Sequence, residues 1–344
     1  MAILGRRRAS DFFDNFCRAA GDNAHFFLIP LAALVASSAR ILRGISCGHD
    51  FDFHLVSWME TQRAWSQGVL YPHWAQSPNW GAGEPRFVFY PPLSWMLGAL
   101  LGYLVNWYWV PALFVFLCLA GVGLTTRALA RQFLPGRAAT LAGVLATATP
   151  YALFTAYQRT AYAELTAAIG IPLLLLFALR QSKAFEESNR GGRFESSSFR
   201  RALDGSAVPL ALVVAAIWLT NAPAGVMASY LLAFVALVAA VLDKSWWPVV
   251  RAGAGVVLGL GLAAFYLLPA AWEQRSVAIE QALDVGMRIR DSWLFARHGI
   301  PDLELHDHVL LVASTVLAFT VLAAGVGLGI CLFWNKLSWE GRRF

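Results

Sequence analysis

Long apolar runs at 25–43, 108–130, 138–157, 163–180, 207–221, 223–242, 250–270 and 308–333 alternate with short polar connections. A helix of about 20 apolar residues crosses the ~30 Å hydrocarbon core of a bilayer. The pattern therefore predicts an all-α integral membrane protein with about eight membrane-spanning helices. The stretch 207–242 is one apolar block, broken into two short spans at Asn221-Ala222-Pro223-Ala224-Gly225, where proline and glycine interrupt a helix. The segment 91–105 is apolar but short. Pro91 and Pro92 suit a helix start. Ser94, Gly98 and Gly102 recur every four residues, a small-residue stripe suited to close packing. This segment is expected to lie at the outer membrane surface or to dip into it. Residues 53–67 read as a second surface helix, with Asp52 as N-cap, Leu55, Trp58 and Met59 on an apolar side and His54, Ser57 and Thr61 on a polar one.

Charge sets the expected orientation. With 91–105 left out of the spans, the N-terminus, 131–137, 181–206, 243–249 and the C-terminus fall on one side. Together with the adjoining helix ends they hold 18 of the 27 Lys and Arg residues, including every lysine. The positive-inside bias makes that side cytoplasmic. The expected organisation is a cytoplasmic segment 1–24, a polytopic domain 25–333 and a cytoplasmic tail 334–344. The outward loops are 44–107 and 271–307, and the cytoplasmic loop 181–206 reads as a flexible solvated linker. Arg6, Arg7 and Arg8 before the first apolar run resemble a signal peptide. Asp11, Asp14 and Asp22 between them favour an uncleaved first helix.

Composition agrees: 58% of the residues are hydrophobic and 14% charged, and mean hydropathy is +0.55. Soluble domains carry about 25% charged residues. The net charge of +6 follows from the basic connections and gives no reason to expect nucleic acid as a partner. The four cysteines are scattered, without metal or disulfide spacing.

Six of the seven histidines fall on the outward side, and candidate chemistry concentrates there. Asp50 and Asp52 follow the first helix directly, in Gly48-His49-Asp50-Phe51-Asp52-Phe53-His54. If that stretch is extended, the two carboxylates point the same way, about 7 Å apart. With an imidazole they could hold a divalent cation or act as a general base. The alternative is a pair of solvated acids beginning the next helix. Farther along, Glu84, Arg86 and Tyr90 lie in a stretch dense in aromatics, Gly and Pro. There Trp and Tyr can anchor at the membrane surface or stack on sugars, and Arg86 can hold a phosphate or pair with Glu84. Arg159 and Glu164 stand between two apolar helices at the outer boundary, where ionisable groups usually have a function. His306-Asp307-His308 is a weaker candidate metal cluster.

These motifs, in this order, resemble the GT-C membrane glycosyltransferases. An acid pair opens a large outward loop after the first helix, and the loop ends in Tyr90-Pro91-Pro92-Leu93-Ser94-Trp95. More closely the chain resembles the bacterial membrane family called 6-pyruvoyl-tetrahydropterin synthase-related. That family carries the Tyr-Pro-Pro-Leu-Ser stretch, an Arg and Glu like Arg159 and Glu164, and an element like 266–273. The resemblance covers most of 25–275. It implies a GT-C-like helical bundle with surface helices in the first outward loop, in the bacterial inner (plasma) membrane. The implied activity is transfer of a sugar from a polyprenyl-phosphate donor, delivered by membrane lipid, to an extracytoplasmic acceptor in the cell envelope. Asp50 and Asp52 would supply the catalytic acid and Glu164 a second one. Arg159, or a Mg or Mn ion, would meet the leaving phosphate, and His54, Glu84, Arg86 and Tyr90 would contact substrate. Relatives usually run longer, so the chain is expected to be a fragment or a shortened member. Two other readings compete: a non-catalytic partner of envelope polysaccharide assembly, and a lipid or sugar transporter.

Overall fold

In the computed structural model the described residues are 25–44, 48–190 and 207–278, with isolated positions beyond; side chains are described except at 181–190. The chain divides into two compact units, Met1–Glu273 and Gln274–Phe344. Among its described residues the first consists of helices and their connecting loops, with one isolated antiparallel bridge between Ala75 and Glu84. The second opens with a 3-10 turn, Gln274–Ser276.

In chain order, α1 is His25–Arg43, α2 Phe51–Ser66, α3 Arg86–Phe89, α4 Pro92–Leu104, α5 Val110–Ala130, α6 Gly136–Ala146 and α7 Pro150–Leu153. A π-helical turn, Phe154–Arg159, continues α7. Then come α8 Tyr162–Ala167, α9 Gly170–Arg190, α10 Ala207–Trp218, α11 Ala222–Leu242 and α12 Trp247–Glu273. Among the described residues six stretches are long and apolar enough to cross a membrane: His25–Arg43, Val110–Ala130, Gly136–Arg159, Tyr162–Arg180, Ala222–Leu242 and Trp247–Ser276. This is the organisation of an all-α, multi-pass membrane protein.

Two expected spans are absent from this set. The first, 207–221, forms a helix of 12 residues, about 18 Å long and short of the ~30 Å core. It ends where expected: the chain leaves the helix after Trp218, and Asn221 caps α11 by accepting the Ala224 amide at 2.8 Å. The second, 308–333, lies almost wholly outside the described residues, as do His306 and Asp307. The expected linker 181–206 also differs in part, because α9 runs on through Arg190.

Segment 91–105 is a 13-residue helix, too short at about 20 Å for a full crossing. Its small-residue stripe packs as expected. Ser94 is buried, and a Cβ on Gly98 would lie 2.2 Å from the Trp58 indole. Only a residue without a side chain lets α4 approach α2 this closely. Trp58 is fully buried and stacks on Phe114 and Tyr162, with ring centroids at 4.7 and 5.2 Å. This aromatic stack is the centre of one apolar core, shared by α1, α2, α4, α5 and α8. A second core joins α9, α10, α11 and α12.

The surface helix begins at Phe51 rather than 53, with Asp50 at the N-cap position. Its expected sidedness is corrected in part: Trp58 of the apolar side is buried and Leu55 packs on the core. His54, Ser57 and Thr61 face inward and are buried, whereas Met59 is exposed. The buried stripe is satisfied in two ways: His54 accepts the Tyr162 amide and Ser57 accepts from Arg86, while the Ser57 and Thr61 hydroxyls donate to the Phe53 and Ser57 carbonyls of α2 itself.

Gly98→Ala is expected to cost about 1–3 kcal/mol through overpacking against Trp58, read as a lower melting temperature of the detergent-solubilised protein. Gly253→Ala, at a position with no neighbour within 4 Å, should leave that temperature unchanged or raise it.

Candidate functional site

The site begins with the approach of two backbone segments. Gly48 sits so close to the turn after α7 that a Cβ there would lie 2.5 Å from the Gln158 carbonyl oxygen. The His49 amide donates to that oxygen at 3.4 Å, and the Asp50 amide donates to the Arg159 carbonyl at 2.9 Å. The start of α2 is thus held against the π turn. Thr160 follows the turn with φ 52° and ψ 33°, a left-handed conformation that is an outlier for a β-branched residue. The reversal at Thr160 sets Arg159 and Glu164 beside one another, with Nη1 2.8 Å from the carboxylate.

Asp50 stands at a helix N-cap but its carboxylate caps no amide. A capping bond is ordinarily worth about 1 kcal/mol. The carboxylate instead meets Nδ1 of the exposed His49 at 2.6 Å and lines a cavity of about 310 Å³. His54, one helical turn on, is 7% exposed, and its Nε2 accepts the Tyr162 amide at 3.2 Å. An acceptor at Nε2 places the neutral ring's proton on Nδ1. Burial lowers the pKa of His54 to about 4, against an upward pull from Asp50, with Arg86 lowering it further. His54 is therefore a neutral donor at physiological pH and a poor base.

Three further walls close the cavity. Arg159 and Glu164 form one. Tyr90 and Trp95 form another: Tyr90 leans on Phe53 at 4.3 Å, and the Trp95 indole donates to the Tyr90 carbonyl at 3.2 Å. Burial raises the Tyr90 pKa, which keeps the phenol protonated. The third is the break at Thr220-Asn221-Ala222-Pro223, tied to α4 by the Leu93 amide donating to the Leu219 carbonyl at 2.8 Å.

Of the residues singled out from the sequence, Asp50, His54, Tyr90, Arg159 and Glu164 converge on this one cavity, whereas Asp52, Glu84 and Arg86 are not in its lining. Asp52 is exposed in the first turn of α2. Two residues along a helix turn a side chain through about 200°, so the same-side arrangement that an extended chain would give is replaced by divergence. The two acids do not converge on one ion. Among the described residues no group of three or more His, Cys, Asp or Glu side chains is arranged for a metal. Arg86 is nearly buried. It pairs with Glu84, donates to the Phe53 carbonyl and Ser57 Oγ at 3.0 Å each, and lies 4.1 Å from the Phe53 ring. These contacts fix the loop 86–91 to α2 behind the cavity.

Arg40 was not legible as a site residue. It reads as a basic residue near the end of an apolar run, yet it is 2% exposed. Its Nη1 donates to Tyr162 Oη at 2.8 Å, and Nη2 donates to the Ala156 carbonyl. Its guanidinium lies over the rings of Tyr157 and Tyr162 at 5.0 and 5.5 Å. Among the described residues no carboxylate forms a salt bridge with it. A π turn displaces carbonyls from the regular helical ladder, and Arg40 satisfies one of them. Tyr157 adds a second tie, donating to the Ala36 carbonyl at 2.6 Å.

The His54 value gives a pH dependence of stability. Between its folded value of about 4 and its ordinary 6.5, the unfolded chain binds a proton that the folded chain does not. The contribution is complete above 6.5 and is lost as pH falls toward 4. His54→Gln preserves an acceptor for the Tyr162 amide without a titrating group. From about pH 7 down to about pH 4.5, its melting temperature should fall less steeply than that of the wild type. Equal slopes would contradict the assignment.

Comparison with protein-family models, curated proteins and solved structures finds no match to this chain.

Proposed function

We propose that the chain is a membrane glycosyltransferase that moves a sugar from a polyprenyl-phosphate donor to an extracytoplasmic hydroxyl acceptor. One observation carries the reading. The polar cavity shares Arg159, Glu164, Asn221 and Pro223 with an apolar groove of about 590 Å³, lined also by Tyr151, Ile171, Met227 and Leu231. The ion pair stands where the two meet. A molecule with a polar head, a phosphate and a long apolar tail matches that sequence of surfaces: the head among Asp50, His54 and Tyr90, the phosphate at Arg159, the tail along α11.

The chemistry asked of these groups is ordinary. The acceptor oxygen forms a bond to the anomeric carbon as the bond from that carbon to the phosphate oxygen breaks. The phosphate leaves with the electron pair, and Asp50 takes the hydroxyl proton. Arg159 shifts from Glu164 to the phosphate and stabilises its growing charge. The Nδ1 proton of His54 and the Tyr90 phenol orient sugar hydroxyls. Because Asp50 and Asp52 diverge, no step is assigned to a metal. The positive-inside bias of the basic connections supports an outward site and a cytoplasmic N-terminus, and the family resemblance implies a bacterial inner membrane. The cavity lies at the end of α1 from which α2 departs and at the starts of α8 and α11, opposite the basic connections.

Membranes carrying the chain and supplied with labelled polyprenyl-phosphate sugars are expected to show transfer. Asp50→Asn should lower it by about 100-fold or more, while Asp52→Asn stays near wild type. Undiminished transfer in Asp50→Asn removes the assigned base. Absence of transfer from every donor by folded protein favours the non-catalytic partner.

A further inference from the structure

The segment Gly68–Gly83 contains no Asp, Glu, Lys or Arg, although most of it is exposed. It is a built structure. Ala75 and Glu84 exchange two backbone hydrogen bonds of 2.9 Å. Glu60, buried on α2, accepts the Gln76 amide at 2.8 Å and the Ser77 hydroxyl. The Asn79 side-chain amide donates to the Gly83 carbonyl at 3.1 Å, and the Gly83 amide to the Pro78 carbonyl at 2.8 Å. At the tip, Asn79 and Trp80 both adopt positive φ, 55° and 59°. Bulky residues rarely do so. The result is a tryptophan 106% exposed relative to an isolated residue, flanked by exposed Trp74, Leu70 and Val69. Nothing in the interior uses the Trp80 ring.

The base of this loop joins a surface already suited to lipid. Tyr71 packs edge-on against Phe265 of α12 at 5.6 Å. Phe265, Leu268 and Trp272 are all exposed and follow one another at helical spacing on a candidate span. The uncharged loop meets that stripe through Tyr71 at Phe265, two turns before the end of α12. Tryptophan, with an apolar body and an N–H donor, favours the headgroup layer of a bilayer. An exposed apolar surface without charges, continuous with a lipid-facing helix, is matched by lipid and poorly matched by water.

We propose that loop 68–83 is a membrane-interface wedge, with Leu70, Trp74 and Trp80 seated in the headgroup layer of the bilayer. The loop leads through α3 to Tyr90 and Pro91 in the cavity wall. Its seating therefore fixes the depth of the cavity mouth relative to the bilayer surface. The inference concerns lipid contact and holds whatever reaction the cavity performs.

The test places a bimane fluorophore on Trp80→Cys, and separately on Leu70→Cys, in a chain whose other cysteines are replaced by Ser. The protein is reconstituted in liposomes of phosphatidylglycerol and phosphatidylethanolamine. Quenchers are lipids with a nitroxide at a shallow or a deep acyl position, and aqueous iodide. A label on Phe234→Cys, exposed near the middle of α11, gives the mid-span reference. The expected result is loss of most emission from both loop labels with the shallow nitroxide and little loss with iodide. Strong quenching by iodide alone means a water-facing platform, such as one for a glycan, and overturns the proposal. Quenching by neither reagent means a protein partner covers the loop and also overturns it. Strongest quenching by the deep nitroxide contradicts the headgroup placement.

Discussion

The amides of His49 and Asp50 donate to the carbonyls of Gln158 and Arg159, and this junction brings distant parts of the chain into one site. It needs Gly48, because any side chain there would strike the partner backbone. It also needs the turn at 154–160 in one shape, including the left-handed Thr160. Arg40, Tyr157 and His54 hold that shape by ties to Ala156 and Tyr162, Ala36, and the Tyr162 amide respectively. An unfavourable backbone conformation persists only where its surroundings over-determine it. Here the same ties present Asp50, Arg159 and Glu164 to one cavity.

The helical architecture was largely legible because apolar runs long enough for lipid leave few alternatives. The break at Asn221 and the packing stripe of Ser94, Gly98 and Gly102 were legible too, since Pro, Gly and small-residue spacing act locally. The side-chain directions around Asp50 were not. A stretch reading Asp-x-Asp fits an extended chain as well as a helix start, and the junction with the π turn decides between them. The burial of the polar side of α2 was not legible either: hydrophobic periodicity assumes water on the polar side, and here His54, Ser57 and Thr61 are buried together with Trp58. Arg40 carried a weak signal, a cation inside the final turn of an apolar helix. The π turn that gives it a role has no recognised pattern in the residues that form it.

The site brings polar and apolar surfaces together over a short distance. A carboxylate not engaged in capping, a neutral imidazole and a phenol face one end of the Arg159–Glu164 pair, and an apolar groove begins at the other. The pair is partly exposed at 2.8 Å, and such pairs contribute little to stability. Its exchange for an Arg159–phosphate pair would therefore be easily reversed, as the proposed transfer requires for product release.

We propose the Arg159–Glu164 pair as the phosphate point of an amphiphilic site. Native mass spectrometry or calorimetry of the purified protein with a polyprenyl monophosphate tests it without any turnover. Saturable binding is expected, and Arg159→Gln should weaken it by roughly 10- to 100-fold, the loss expected for one charge-assisted hydrogen bond. The polyprenol lacking the phosphate should bind the wild type and the variant alike. Equal affinity of the wild type for the phosphate and the alcohol, or undiminished phosphate binding by Arg159→Gln, would contradict the proposal.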